Sequence, residues 1–175
     1  MESIYFYESY HRDPINKLIH FIFIPVIMVT TMNFSSLLRF RLNISLSENF
    51  SNYRQINFDL SGEKILYLFY VFYYFTFNLS IGITMSIFLN IIYIASFLHR
   101  SHFSVYYYGA PIWQVNSSIL FTFAWLMQFL GHAIEGSRPA LFTGLKQTLL
   151  QSPLFVVEYV YPTLLDELME QPHHH

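Results

Sequence analysis

ILYLFYVFYYFTFNLSIGITMSIFLNIIYIASFL, residues 65–98, runs without one Asp, Glu, Lys or Arg. A single straight helix of this length would measure about 51 Å at ~1.5 Å per residue. The hydrocarbon core of a bilayer is only about 30 Å thick. Two short spans joined by a turn at residues 78–82 therefore fit better than one. The choice matters for everything upstream and downstream. With two spans, His20 and His132 fall on the same side of a membrane; with one, they fall on opposite sides.

Working outward, residues 18–38 form a second charge-free run of about the length that crosses a bilayer. Asp13 and Pro14 precede it and read as N-cap and first helical position. Residues 39–64 are rich in Ser and Asn and carry Arg39, Arg41, Glu48, Arg54, Asp59 and Glu63. Composition predicts a polar, partly disordered solvent loop there. Residues 99–109 read as a second loop, with a tyrosine cluster at 106–108 of the kind found at membrane interfaces. Another charge-free run covers 111–134, and a last apolar stretch, 148–165, is interrupted by Pro153, Glu158 and Pro162.

These runs predict an all-α fold: an integral membrane helical bundle of four to five transmembrane helices. Residues 1–165 form one membrane-embedded domain, and 166–175 a C-terminal tail. The bulk composition agrees. Charged residues make up 11% of the chain and hydrophobic ones 54%. A soluble domain carries about 25% charged residues. The net charge of −2 gives no footprint for nucleic acid. With no cysteine, disulfides and thiolate chemistry are excluded. Any metal must sit on His, Asp, Glu or water. His173, His174 and His175 resemble a tag and are set aside.

Three places could carry chemistry. Asn16 and His20 share a helix face at i, i+4, with His11 just upstream. On spacing alone, the two histidines read slightly better as interfacial residues at a helix start. Gln128, His132 and Glu135 stand at i, i+4 and i+7, a polar stripe on an apolar helix. Such a stripe must face protein or a cavity, which favours a functional reading over a helix end leaving the bilayer. His132 and Glu135 at i, i+3 have the spacing to ligate one metal. Glu158, alone in an apolar run, needs a partner, a metal or a proton unless its helix lies flat at the interface. His99 and His102 fall on the far side of the membrane and read as interface residues. No nucleophile elbow, phosphate loop or dinucleotide glycine pattern occurs.

Tyr7, His11, Pro14, Asn16, His20 and Pro25, with Trp125, Gln128, Gly131, His132, Glu135, Pro139, Ala140 and Leu141, resemble the membrane 2-hydroxy fatty acid dioxygenases. Pro153, Phe155 and Glu158 also match that family's final apolar segment. The resemblance implies a multispanning protein of the endoplasmic reticulum that uses iron(II) and O2 to shorten a 2-hydroxy fatty acid by one carbon. In fungi this serves breakdown of a sphingoid base. The family's histidines map onto His11, His20 and His132. Metal binding at Glu135 and Glu158 is an inference from their positions. Asn16 and Gln128 are expected to orient the ligands, and Arg138 or Lys17 to hold the substrate carboxylate. The alternative is a non-enzymatic membrane protein that binds lipid or packs with partner helices, its polar residues only tying helices together.

Overall fold

A computed structural model describes residues 13–49, 52–136 and 145–162. In chain order these form α1 (Pro14–Ser35), β1 (Arg39–Asn49), β2 (Asn52–Ser61), α2 (Gly62–Phe75) and α3 (Leu79–His102). A two-residue ribbon, β3 (Tyr106–Tyr107) and β4 (Ala110–Pro111), leads into α4 (Ile112–Glu135), and α5 (Leu145–Val160) follows.

Local chemistry sets the helix ends. The Asp13 side chain accepts from the Ile15 and Asn16 amides at 2.8 and 3.1 Å, and Pro14 opens the first turn, as the sequence predicts. The 65–98 run divides as expected, although the break comes slightly earlier than predicted. α2 stops at Phe75, and Asn78 caps α3 by accepting from the Ile81 amide at 2.7 Å. Gly136 ends α4 with φ +71°, a left-handed conformation that suits glycine.

Three helices, α1, α3 and α4, are long and apolar enough to cross a membrane. α2, at 14 residues, and α5, at 16, are shorter than a full crossing. At ~1.5 Å per residue they reach roughly 21 and 24 Å. Large apolar side chains such as Ile87, Ile91, Phe97, Ile119 and Leu126 point outward from α3 and α4. Exposure on this scale suits lipid rather than water.

α1 is the central helix and touches all four others. Its Ile24, Met28 and Met32 pack with Tyr74 of α2, Met85 and Leu89 of α3, and Leu154 and Val156 of α5. Pro153 removes one backbone donor inside α5, which leaves the Leu149 carbonyl without its usual helical partner. The Tyr70 hydroxyl donates to that carbonyl at 3.0 Å, and Tyr74 donates to Leu150 O at 2.7 Å. The missing donor at Pro153 thus leaves an acceptor that docks α5 on α2.

The 39–64 segment is not the irregular loop that composition predicts. β1 and β2 form an antiparallel hairpin, with Arg39 opposite Ser61, Arg41 opposite Asp59 and Leu42 opposite Phe58. The stretch from Arg39 to Ser45 alternates charged or polar with apolar residues, the period of a two-faced strand. Its overall Ser and Asn content masked that signal.

At the end of α1 away from its N-terminus, a buried polar network ties four helices. Asn33 is its hub. Its Oδ1 accepts from Ser96 Oγ at 2.8 Å and Arg100 Nη1 at 3.1 Å. Its Nδ2 donates to Ser117 Oγ at 3.0 Å and to His99 Nδ1 at 3.1 Å. Arg100 also pairs with Glu63 at the start of α2. His99 therefore stands at the far end of the bundle from His20, as the topology predicts, and is drawn inward by Asn33.

Candidate functional site

The first turns of α1 meet the last turns of α4. Four sequence-predicted residues converge here. The rings of His20 and His132 lie with centroids 4.9 Å apart and planes at 82°. Both side chains are buried, His20 to 4% and His132 to 6% exposure. The two-span reading of residues 65–98 requires this same-side placement.

Antiparallel packing alone does not bring two helices this close. Gly131 permits it: a Cβ there would stand 2.3 Å from Asn16 Oδ1. The fully buried Asn16 uses its side-chain amide to donate to Glu135 Oε2. Glu135 Oε1 accepts from the Asp13 backbone N–H at 3.2 Å. A carboxylate at a helix N-terminus also meets the favourable end of the helix dipole. The last residue of α4 is thereby fastened to the first turn of α1.

The orientation of His20 follows from the same residue. Its Nδ1 lies 2.9 Å from the Asn16 carbonyl oxygen. A carbonyl only accepts, so Nδ1 carries the hydrogen, and in the neutral ring Nε2 carries the lone pair. Metal-binding imidazoles are oriented by this kind of bond. Imidazole nitrogens bind zinc-like ions at about 2.1 Å, so rings as close as His20 and His132 have the reach to share one ion. Imidazole and carboxylate donors suit iron(II). Among the described residues, no three His, Asp or Glu side chains converge as a complete cage.

α5 closes one side. Phe155 sets its ring edge-on to His20 at 6.4 Å between centroids, and Tyr159 stacks on Phe21 at 4.7 Å. Glu158 follows Phe155 by three positions, about one turn, and is half-buried. Lys17 is half-buried beside Asn16 on α1. Gln128 lies one turn before His132 and is buried. His11 and Arg138, with residues 139–141 of the family pattern, lie outside the described residues.

Sequence reasoning missed Gln151. It stands at i−4 from Phe155 and i−7 from Glu158, the same stripe that Gln128, His132 and Glu135 make on α4. It is buried. That matching spacing was the available signal.

The chain matches, over residues 1–164, the family described as Mpo1-like, 2-hydroxy-palmitic acid dioxygenase Mpo1-like. Among curated proteins it is 29% identical over 153 residues to the 2-hydroxy-palmitic acid dioxygenase MPO1 of Saccharomyces cerevisiae, covering 87% of this chain and 74% of that protein. No solved structure matches it.

Proposed function

The chain belongs to the Mpo1-like family, and from that premise we propose that it is a membrane dioxygenase acting on 2-hydroxy fatty acids, which it shortens by one carbon. The meeting of His20 and His132, at 4.9 Å, is the observation that carries the reading. The endoplasmic reticulum membrane is its proposed location, and fatty acid α-oxidation in sphingoid base breakdown its proposed role.

Iron(II) is the proposed metal, held by His20 and His132, with His11, Glu158 or Glu135 completing the set. When bound, it supplies the activation of O2 needed to cleave the bond between C1 and C2. One 2-hydroxy acid and one O2 balance as the shorter fatty acid, CO2 and water, so the overall reaction asks for no external reductant.

The residues of this chain have separable tasks in that reading. Asn16 fixes the His20 ring through its carbonyl and holds Glu135 through its amide. Phe155 and neighbouring apolar side chains keep water from the imidazoles, which raises the strength of polar contacts there. Lys17 and Arg138 are the cations that would draw a carboxylate toward the site. The acyl chain would lie along the apolar helix faces.

The test uses protein lacking residues 173–175, purified in detergent and assayed for bound metal and for product from 2-hydroxypalmitate and O2. The proposal expects bound iron and a fatty acid one carbon shorter, with both lost in His20→Ala and His132→Ala. Well-folded protein with neither iron nor product would sink it and leave the lipid-binding alternative. Bound zinc would point to hydrolysis instead.

A further inference from the structure

The β1–β2 hairpin has two unlike faces. Its register pairs Phe40 with Leu60 and Leu42 with Phe58. Paired residues share a face and successive residues alternate, so Ile44 joins these four on one side. The other side carries Arg41 opposite Asp59, an ion pair at 3.3 Å, and Asn43 opposite Asn57. Such alternation belongs to a sheet with an apolar layer on one side and water on the other. Yet Phe40, Leu42, Ile44 and Phe58 are 48%, 51%, 45% and 47% exposed. Apart from its own pairing, the hairpin's main packing among the described residues is with α2, the helix that directly follows β2. An isolated two-stranded hairpin is marginal in water and needs a second layer against its apolar face.

The hairpin's place in the fold says what that layer is. It leaves the end of α1, a helix long and apolar enough to cross a membrane. Only residues 36–38 separate α1 from β1, and none separates β2 from α2. The Gly62 N–H donates to Leu38 O at 2.8 Å and closes the base. Exposed apolar residues flank that base on both sides: Leu37 and Leu38 after α1, Ile65 and Leu68 on α2. The base therefore stands at the edge of the bilayer. Asn33, near the end of α1, bonds to His99 and Arg100, near the end of α3, so the β3–β4 ribbon that follows α3 lies at the same edge. Its Tyr106 is 73% exposed, an aromatic of the kind that sits at headgroup level.

Length decides how the hairpin is oriented. Upright, it would carry Ile44 about 17 Å past Arg39, at ~3.4 Å per residue. The headgroup layer is only about 5–8 Å deep, so most of the apolar face would stand in water. Lying along the boundary, that face meets acyl chains over its whole length, while Arg41, Asn43, Asn57 and Asp59 stay in water.

We propose that the β1–β2 hairpin is a membrane-surface element: it lies along the bilayer boundary at the end of the bundle opposite the histidine pair, with Phe40, Leu42, Ile44 and Phe58 seated among lipid chains. The partner is the lipid surface itself, held by buried apolar area rather than by one headgroup. This inference is independent of the reaction proposed above.

The chain has no cysteine, so a single introduced one can be labelled uniquely. Full-length protein is reconstituted in phosphatidylcholine vesicles with a nitroxide attached in Leu42→Cys, Phe58→Cys, Asn43→Cys or Asn57→Cys. Collisions are measured with oxygen, which concentrates in the bilayer, and with a nickel chelate, which stays in water. The ratio of oxygen to nickel collisions should be severalfold higher at 42 and 58 than at 43 and 57. If Leu42→Cys or Phe58→Cys fails to fold, Ile44→Cys reads the same face. The double variant Asn43→Cys/Asn57→Cys checks the hairpin itself, because its paired labels should broaden each other's spectra. Unbroadened spectra there, or an equal collision ratio at all four positions, overturn the proposal. Labels at 42 and 58 shielded from both reagents would mean that protein covers the face, and broadening between them that disappears on dilution with unlabelled protein would identify a second copy of this chain. Either of these results also overturns the assignment to lipid.

Discussion

The Asn16 side-chain amide donates to the Glu135 carboxylate, joining the first turn of α1 to the last residue of α4. The backbone carbonyl of the same asparagine receives the Nδ1 hydrogen of His20. One residue therefore couples the closure of two helices to the direction of an imidazole. Nothing in Asn16 is reactive, so its contribution to the site is entirely positional.

Removing the carboxylate should loosen that coupling. Glu135→Ala leaves the buried Asn16 amide and the Asp13 backbone N–H without their acceptor, at a cost of about 1–3 kcal/mol. Glu135→Gln keeps one carbonyl acceptor and should lose less. Denaturant unfolding in a fixed detergent checks the order. An alanine variant as stable as the parent would show that Glu135 does not fasten the two helices.

Gly131→Ala tests the close approach itself. The new methyl would overlap Asn16 Oδ1, and Asn16 is fully buried, so either its side chain turns away and breaks its bond to Glu135 or the helices part. Overpacking of this kind costs about 1–3 kcal/mol. On the proposed function, activity and retained metal should fall together, although no candidate ligand is changed. Metal retention equal to the parent's in this variant would mean that the His20–His132 spacing tolerates the shift.

The far-end network makes a prediction with the opposite readout. Arg100 and Glu63 have side chains only 15% and 11% exposed. Arg100→Leu strands the Glu63 carboxylate and also takes a donor from Asn33, and losses of about 3–5 kcal/mol are typical for such breaks. The double variant Glu63→Leu/Arg100→Leu should recover a large part of that. Both measurements are of unfolding free energy. The network lies about 20 Å along α1 from His20, counting ~1.5 Å per residue, so the metal binding that the proposed function expects should not change per folded molecule. Equal stability of single and double variants would refute the pairing argument.

Much of this architecture was legible because lipid imposes a simple rule on sequence: long runs without charge become helices. The division of residues 65–98 follows from length alone, and it puts His20 and His132 on the same side of a membrane; that their rings meet is visible only in the structure. The stripe Gln128, His132, Glu135 was legible because polar groups on an apolar helix must face inward. The β1–β2 hairpin is harder to see, because high Ser and Asn content hides the period-two alternation of Arg39, Phe40, Arg41, Leu42, Asn43 and Ile44. Asn33 could not be found from sequence. Its partners come from α3 and α4, and Arg100 extends the network to α2, so no local pattern marks it.

The docking of α5 onto α2 rests on a carbonyl that Pro153 sets free, and this can be isolated by a double-mutant cycle. Tyr70→Phe removes the donor that reaches Leu149 O. In the parent protein that carbonyl then has no helical N–H to turn to, because position 153 is proline. The expected loss is about 0.5–1.5 kcal/mol. Pro153→Ala restores an N–H four residues on, which competes for the same oxygen. In the Pro153→Ala background, Tyr70→Phe should therefore cost clearly less than it does in the parent. Tyr74→Phe provides the contrast, since Tyr74 reaches Leu150 O and that carbonyl faces residue 154, which keeps its N–H. Its cost should be the same in both backgrounds. Unfolding free energies of the six proteins decide the matter, and a Tyr70→Phe cost independent of residue 153 would rule out the missing N–H of Pro153 as the source of the acceptor.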